Sequence, residues 1–347
     1  MVLTDRALNR TLWLRQHLAE PAVADPVDMV RHLVGLQAQE GRSPYLSLRA
    51  RIRGFEPMAL SEAIADRRLA RFLTLRGTVH VLTPDDAVML RPWVQPALGR
   101  ISRSNNLSRP ARDIGDDELE AAVRKILAGG PRPVAELGRL LAEAFPGIPE
   151  GALRNAARER VPLVQLPPRG LWKQAGGVVY DLVDRWLDQP LAEPDPGALV
   201  RRYLRAFGPA TSADMTKWSS VTGLGRVFAE MADELVMHEA EDGRLLHDLP
   251  DAPLADADLD LPVRLLGPYD NLWLAHANRS RITGPTALKQ WMGSNGASGG
   301  TVFVDGFLAG TWRAAGGHIE VVPARAFTTG ERAAVAEEAA RVEAFLS

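Results

Sequence analysis

The sequence predicts an α+β fold, mainly α: three tandem winged helix-turn-helix units followed by a C-terminal antiparallel β-domain. Residues 1–98 read as helices followed by a β-hairpin, the outline of a winged-helix unit. That order of elements recurs behind two Gly-Pro steps, Gly130-Pro131 and Gly208-Pro209, which lie 78 residues apart. Beyond an acidic, proline-containing stretch at 250–262 the pattern turns to short β segments closed by one amphipathic helix. The corresponding division is 1–112, 113–192, 193–252 and 253–347.

Each element has a local reason. Thr4 caps a first helix of about 15 residues, and Asp25-Pro26 supplies the cap and first-turn proline of a second. Ser43-Pro44 repeats that signal, with Gly41 placed to end the preceding helix. Pro57 opens a helix through Ile64; residues 69–82 alternate as two strands joined near Arg76-Gly77; Thr83-Pro84 starts a helix toward Leu98. The polar stretch 101–115 reads as a linker or loop. In the second unit, helices at 116–128 and 149–160 precede Leu163-Val-Gln-Leu and Leu171-Trp-Lys-Gln, which flank the turn Pro167–Gly170. In the third, helices at 196–206 and 222–232 precede strands near 235–239 and 243–248. The last part reads as strands at 263–267, 272–275, 301–305, 306–313 and 318–322. A Gly/Ser loop falls at 293–300, and a helix runs from about Glu331 to Leu346.

Composition excludes several classes of chemistry. The 347 residues contain no cysteine, which removes disulfides, thiol catalysis, iron–sulfur clusters and cysteine-ligated zinc. The seven histidines never pair at helical metal spacing, and no HExxH, Walker loop or dinucleotide fingerprint occurs. No cofactor and no metal are expected. No apolar run reaches the roughly 20 residues that span a bilayer, and the N-terminus opens into a polar helix, so a cytoplasmic location is expected. The net charge of −2 hides an asymmetry: residues 40–112 hold 13 basic side chains against 6 acidic ones. Such a patch suits a polyanion.

The candidate chemistry lies in Leu36-Gln37-Ala38-Gln39. On a regular helix residues i and i+2 face different ways. The reading therefore puts Gln37 in the last helical turn and Gln39 in the connection beyond it, where both amides can turn to one side. A carboxamide donates and accepts hydrogen bonds but is no base at neutral pH. The pair can position a water and stabilise charge; as a plain alternative, they cover a helix end. Arg42, Arg49 and Arg51 lie close in sequence as candidate phosphate contacts, and Arg76, Thr78 and His80 as a row able to brace the glutamines. Farther on, His276, Asn278, Arg279 and Arg281 form a polar run able to enter a groove.

With Ser43-Pro44-Tyr45-Leu46, Leu75–His80, Thr83–Asp86, Pro268–Leu272 and Val304–Arg313, this segment resembles the tandem winged-helix DNA glycosylases of bacteria along nearly the whole chain. One branch of that family carries Gln-aliphatic-Gln at the active site and another Gln-aliphatic-Asp; this sequence has the first, AlkZ-type form. The resemblance implies a C-shaped protein around a duplex, with Gln37 and Gln39 catalytic. It implies a monofunctional glycosylase hydrolysing the N-glycosidic bond of N7-alkylated, cationic guanine. The implied activity includes unhooking interstrand crosslinks made by an alkylating natural product, a self-resistance form of base excision repair. The implied partner is double-stranded DNA with alkylated or crosslinked guanine, bound by a monomer. Two rival readings remain open here: a winged-helix transcription regulator, which would read sequence through a recognition helix, and a non-catalytic damage-binding protein.

Overall fold

In a computed structural model of the protein, which describes residues 2–284 and 299–347, helix predominates at 47% against 17% strand. The α+β, mainly helical class and the C-terminal antiparallel sheet are as expected. At the centre lies a six-stranded antiparallel sheet. Its order is Leu36–Gln37, Val79–Leu82, Ala70–Leu73, Leu163–Gln165, Val179–Leu182 and Arg132–Pro133. The hairpin expected at 69–82 therefore exists, and Phe72 pairs with Val164 to carry the sheet past residue 112. The strand that pairs with Leu163–Gln165 is Val179–Leu182, beyond the 171–174 segment that follows the turn.

Helices Asp116–Leu127, Val134–Ala144 and Glu150–Arg160 bury Leu119, Val123, Leu137, Leu141 and Leu153 in a core of their own. A larger core runs from Leu12 and Trp13 through the sheet to Phe207, Trp218, Trp273 and Leu308. The helix Pro84–Ser104 passes Pro92 and Pro96 without stopping, so residues 101–104 are helical rather than linker. Helix Pro196–Phe207 leads to Ser212–Ser219 and Leu224–Glu230, then to the hairpin Val236–Ala240/Leu245–Asp248. Val2–Leu3 adds to that hairpin as a parallel strand.

The C-terminal sheet orders Arg264–Leu266, Gly300–Val304, Phe307–Ala315 and His318–Pro323, covered by helix Thr329–Leu346. Asp305 (φ 50) and Gly306 (φ 78) form its tight Asp-Gly hairpin turn. A side chain at 306 would run into Asn9, whose amide donates to the carbonyls of Arg281 and Gly306 at 2.6 and 2.8 Å. Where a strand is expected at 272–275, the chain forms the helix Asn271–Leu274, because the Asp270 carboxylate caps it by accepting from Leu272 N. Residues 293–298 of the expected Gly/Ser loop lie outside the described residues; Gly300 already belongs to a strand.

Candidate active site

Helix Pro26–His32 ends earlier than its sequence pattern suggests, at Val34 (φ 52) and Gly35 (φ 96), not at Gly41. A Cβ at Gly35 would overlap the Leu82 side chain, so glycine lets the chain pass close over the hairpin. Beyond Gly35 the chain is strand, with Leu36 opposite Val81 and Gln37 opposite His80. The expectation of a helical Gln37 is thereby corrected. The correction favours cooperation between the amides, since residues two apart share a side in extended backbone. Ala38 points into the core and donates its N–H to Val79 O at 2.7 Å. Gln37 is 5% exposed, whereas Gln39 is exposed and accepts from Val79 N at 3.4 Å.

The turn joining the hairpin strands supplies the partner of Gln37. Arg76 sits there with φ 58, in a single turn of 3₁₀ helix over Leu75–Gly77 rather than on a strand. Its Nη2 donates to Gln37 Oε1 at 2.9 Å, and its Nη1 donates to Trp218 O. The same Nη2 lies 3.2 Å from His80 Nε2. A guanidinium only donates, so His80 Nε2 accepts and the ring proton sits on Nδ1, donated to Thr78 O at 3.0 Å. Thr78 turns its hydroxyl to Leu75 O at 3.0 Å, closing the turn instead of meeting the glutamines. Arg76 and His80 thus join Gln37, and Thr78 does not.

Burial, and then the Arg76 charge, push His80 down to about 3, so it is neutral here. Burial, and then Arg279, push Arg76 down to about 10, so it stays charged at neutral pH. His276 is likewise pushed down to about 3, by burial and then by Arg281. An unfolded histidine titrates near 6.5. As pH falls from 6.5 toward 3 the unfolded chain takes up protons that the folded one refuses, so stability present above 6.5 is lost. Urea midpoints measured from pH 7.5 to 5 are expected to fall, with up to about 1.4 kcal/mol per pH unit from each histidine. His80→Gln is expected to flatten the slope.

Arg71 does for the segment's backbone what Arg76 does for its side chain. Its Nη2 donates to Ala38 O at 2.7 Å, and its Nη1 to Gln165 Oε1. Burial, and then Arg169, push it down to about 10. The sequence carries no signal for Arg71 beyond a lone arginine in an apolar strand; its partner lies 94 residues away. Gln39 borders two hollows. One, of about 540 Å³, is framed by Glu40, Arg42, Tyr45, Trp172 and Lys173. The other, of about 220 Å³, is framed by Arg154, Arg158, Gln165 and Tyr180, and both reach Arg71 and Arg169. Glu40 is occupied in starting helix Ser43–Arg51, accepting from Arg42 N at 2.9 Å and Ser43 Oγ at 3.1 Å.

Several arginines expected at DNA are internal struts. Arg51 is fully buried, giving two hydrogen bonds of 2.8 and 2.7 Å to Asp270, and others to Gln16 and Ser47. Arg49 pairs with the buried Glu338 at 3.0 Å beneath the C-terminal helix. His276 and Arg281 are buried side by side, meeting the carbonyls of Phe207 and Pro209 at 2.9 Å each. All four side chains are committed inside the protein, so the phosphate and groove contacts expected of them are corrected. Arg279 is half-buried, donating to Trp273 O at 3.0 Å over the Trp273 ring. Arg42 and Asn278 are exposed, and Arg42 borders the larger hollow.

Gln39 lines both basic hollows, while Gln37 lies nearly buried behind it against Arg76 and lines neither. Residues 30–345 match the family model described as DNA glycosylase AlkZ-like, and the chain belongs to that family, whose enzymes hydrolyse N-glycosidic bonds. It is similar to an interstrand DNA cross-link repair glycosylase of Streptomyces sahachiroi, at 28% identity over 356 residues, 94% of this chain and 92% of that relative. Its fold matches the solved structure of Streptomyces sahachiroi DNA glycosylase AlkZ, with a TM-score of 0.80 at 24% identity, covering 99% and 97% of the two chains. Among the described residues no helix is long and apolar enough to cross a membrane, and no cluster of ligating side chains could hold a metal.

Proposed function

We propose that this chain is a monofunctional glycosylase that releases N7-alkylated guanine from duplex DNA, with Gln37 and Gln39 aligning the attacking water. The observation that carries this reading is the Arg76–Gln37 hydrogen bond, which fixes an amide through a partner that is neither a carboxylate nor a lysine. N7 alkylation leaves the base cationic. When the bond to C1′ breaks, the electron pair neutralises the base, so no proton need be supplied. There remains a sugar with oxocarbenium character and a water that must meet C1′ from the other face. Arg76 occupies one lone pair of Gln37 Oε1, leaving the second lone pair and the Nε2 hydrogens to orient that water. Gln39 offers the same groups from the exposed side. Neither amide can activate a poor leaving group, so unmodified bases are spared.

The reading extends to crosslinked guanine, in keeping with the name of the Streptomyces sahachiroi relative, and to self-resistance against a DNA-alkylating natural product. A base tethered to the opposite strand resists full extrusion, and the exposed Gln39 on an open hollow suits a lesion met within the duplex. In this reading one chain wraps the duplex as a C, its winged-helix units at 1–112, 113–192 and 193–252 and its β-domain at 253–347, and works at chromosomal DNA in the cytoplasm. The test is incubation with duplex DNA containing N7-methylguanine, then alkali to cut abasic sites. Strand breaks above a no-enzyme control are expected. A yield equal to that control would defeat the reading.

A further inference from the structure

We propose that the smaller hollow beside Gln39 binds one phosphodiester of the DNA strand next to the lesion, with Arg154, Arg158 and Arg169 as its ligands. This rests on the glycosylase reading for its substrate, but not for its test. The hollow lies between helix Glu150–Arg160 and the 167–170 turn, and no carboxylate lines it. Arg154 and Arg158 stand four apart on one helix face, where like charges repel. Elsewhere this protein fills such spacings with opposite charges: Arg124 with Glu120, Arg139 with Glu143, Arg226 with Glu230. Among the described residues neither Arg154 nor Arg158 has an ion-pair partner.

The second, independent sign is unsatisfied donors. The Nε atoms of Arg158 and Arg169 are buried without a hydrogen-bond partner. Desolvated guanidinium N–H groups without acceptors are costly, and an anion held by the same guanidinium groups would offset that cost. Arg71 closes the inner end, still charged and repelled by Arg169. At about 220 Å³ the hollow is below the roughly 300 Å³ at which pockets for drug-sized ligands begin. An oxyanion fits that size, and the planar fork of arginine matches phosphate oxygens two at a time. Because Gln39 forms part of the same wall, a phosphate held there would set the position of the neighbouring sugar relative to the amides.

The test is binding of the full chain to a duplex carrying one abasic-site analogue, followed by fluorescence anisotropy over a range of potassium chloride. For Arg158→Gln and Arg154→Gln, the slope of log Kd against log salt is expected to drop by about 1, with roughly tenfold weaker binding. Arg158→Lys is expected to recover the slope. An uncharged methylphosphonate flanking the lesion should weaken the wild type as much as the variant is weakened, and should weaken Arg158→Gln no further. Unchanged slopes, or fully additive losses at every methylphosphonate position, would overturn the assignment. So would stabilisation by inorganic phosphate that Arg158→Gln abolishes while its DNA slope stays that of the wild type; the hollow would then hold free phosphate instead. Loss of slope in a protein that releases no N7-methylguanine would support the phosphate site and sink only the glycosylase reading.

Discussion

Gln37→Ala is expected to slow base release by about 10²–10³, the usual loss when one preorganised polar partner of a transition state is removed. Duplex affinity should hardly change, because Gln37 is nearly buried and its oxygen already faces Arg76. Gln39→Ala should lose rate on a similar scale. The two variants should differ in stability. Removing the Gln37 amide leaves a buried Arg76 donor without its acceptor, which costs about 1–3 kcal/mol, whereas the exposed Gln39 gives up only a 3.4 Å contact. Single-turnover rates on N7-methylguanine duplex, set beside Kd and urea midpoints, separate these effects. Parallel loss of Kd and rate in both variants would count against a role in the chemistry.

Arg51→Ala is expected to destabilise the fold by about 3–5 kcal/mol, because it strands Asp270 as an unpaired buried charge. Asp270 does two jobs: it takes both forks of Arg51, and it caps helix Asn271–Leu274. The variant should therefore loosen the join between helix Ser43–Arg51 and the C-terminal sheet. A phosphate-binding arginine would behave otherwise, leaving the urea midpoint in place and lowering the salt slope of DNA binding. Arg51→Ala/Asp270→Asn should recover part of the loss, since a neutral amide is cheaper to bury alone than a carboxylate. A midpoint unmoved by Arg51→Ala would contradict the strut assignment.

Local patterning makes the hairpin around Arg76-Gly77 legible, because alternation and a turn residue are properties of neighbouring positions. The caps at Thr4, Asp25 and Thr83 are legible for the same reason. The Gln37–Gln39 pair stands out through its resemblance to a known motif, yet its secondary structure does not. The apolar run before it fits helix or strand equally, and Val34-Gly35 decides the matter through backbone angles that composition does not display. Residues 272–275 mislead in the opposite sense, since a four-residue apolar run carries no periodicity of its own. The arginines are hardest. Whether a guanidinium meets solvent or a carboxylate depends on a partner 219 residues away for Arg51 and 289 for Arg49, and no local pattern encodes that. The local excess of positive charge at 40–112 consequently overstates how much of it faces DNA.

Asn9 finds its partners 272 and 297 residues downstream, and Arg15 meets Asp248 across 233. During synthesis at about 5–20 residues per second, the first helix therefore waits roughly 15–60 s after leaving the ribosome before the last of these partners exists. Through that interval Leu8 and Trp13, fully covered in the finished molecule, stay incompletely covered, since Leu8 packs with Ala240 and Leu246 and Trp13 meets Phe303. The covering of the first helix is thus completed only by residues made much later.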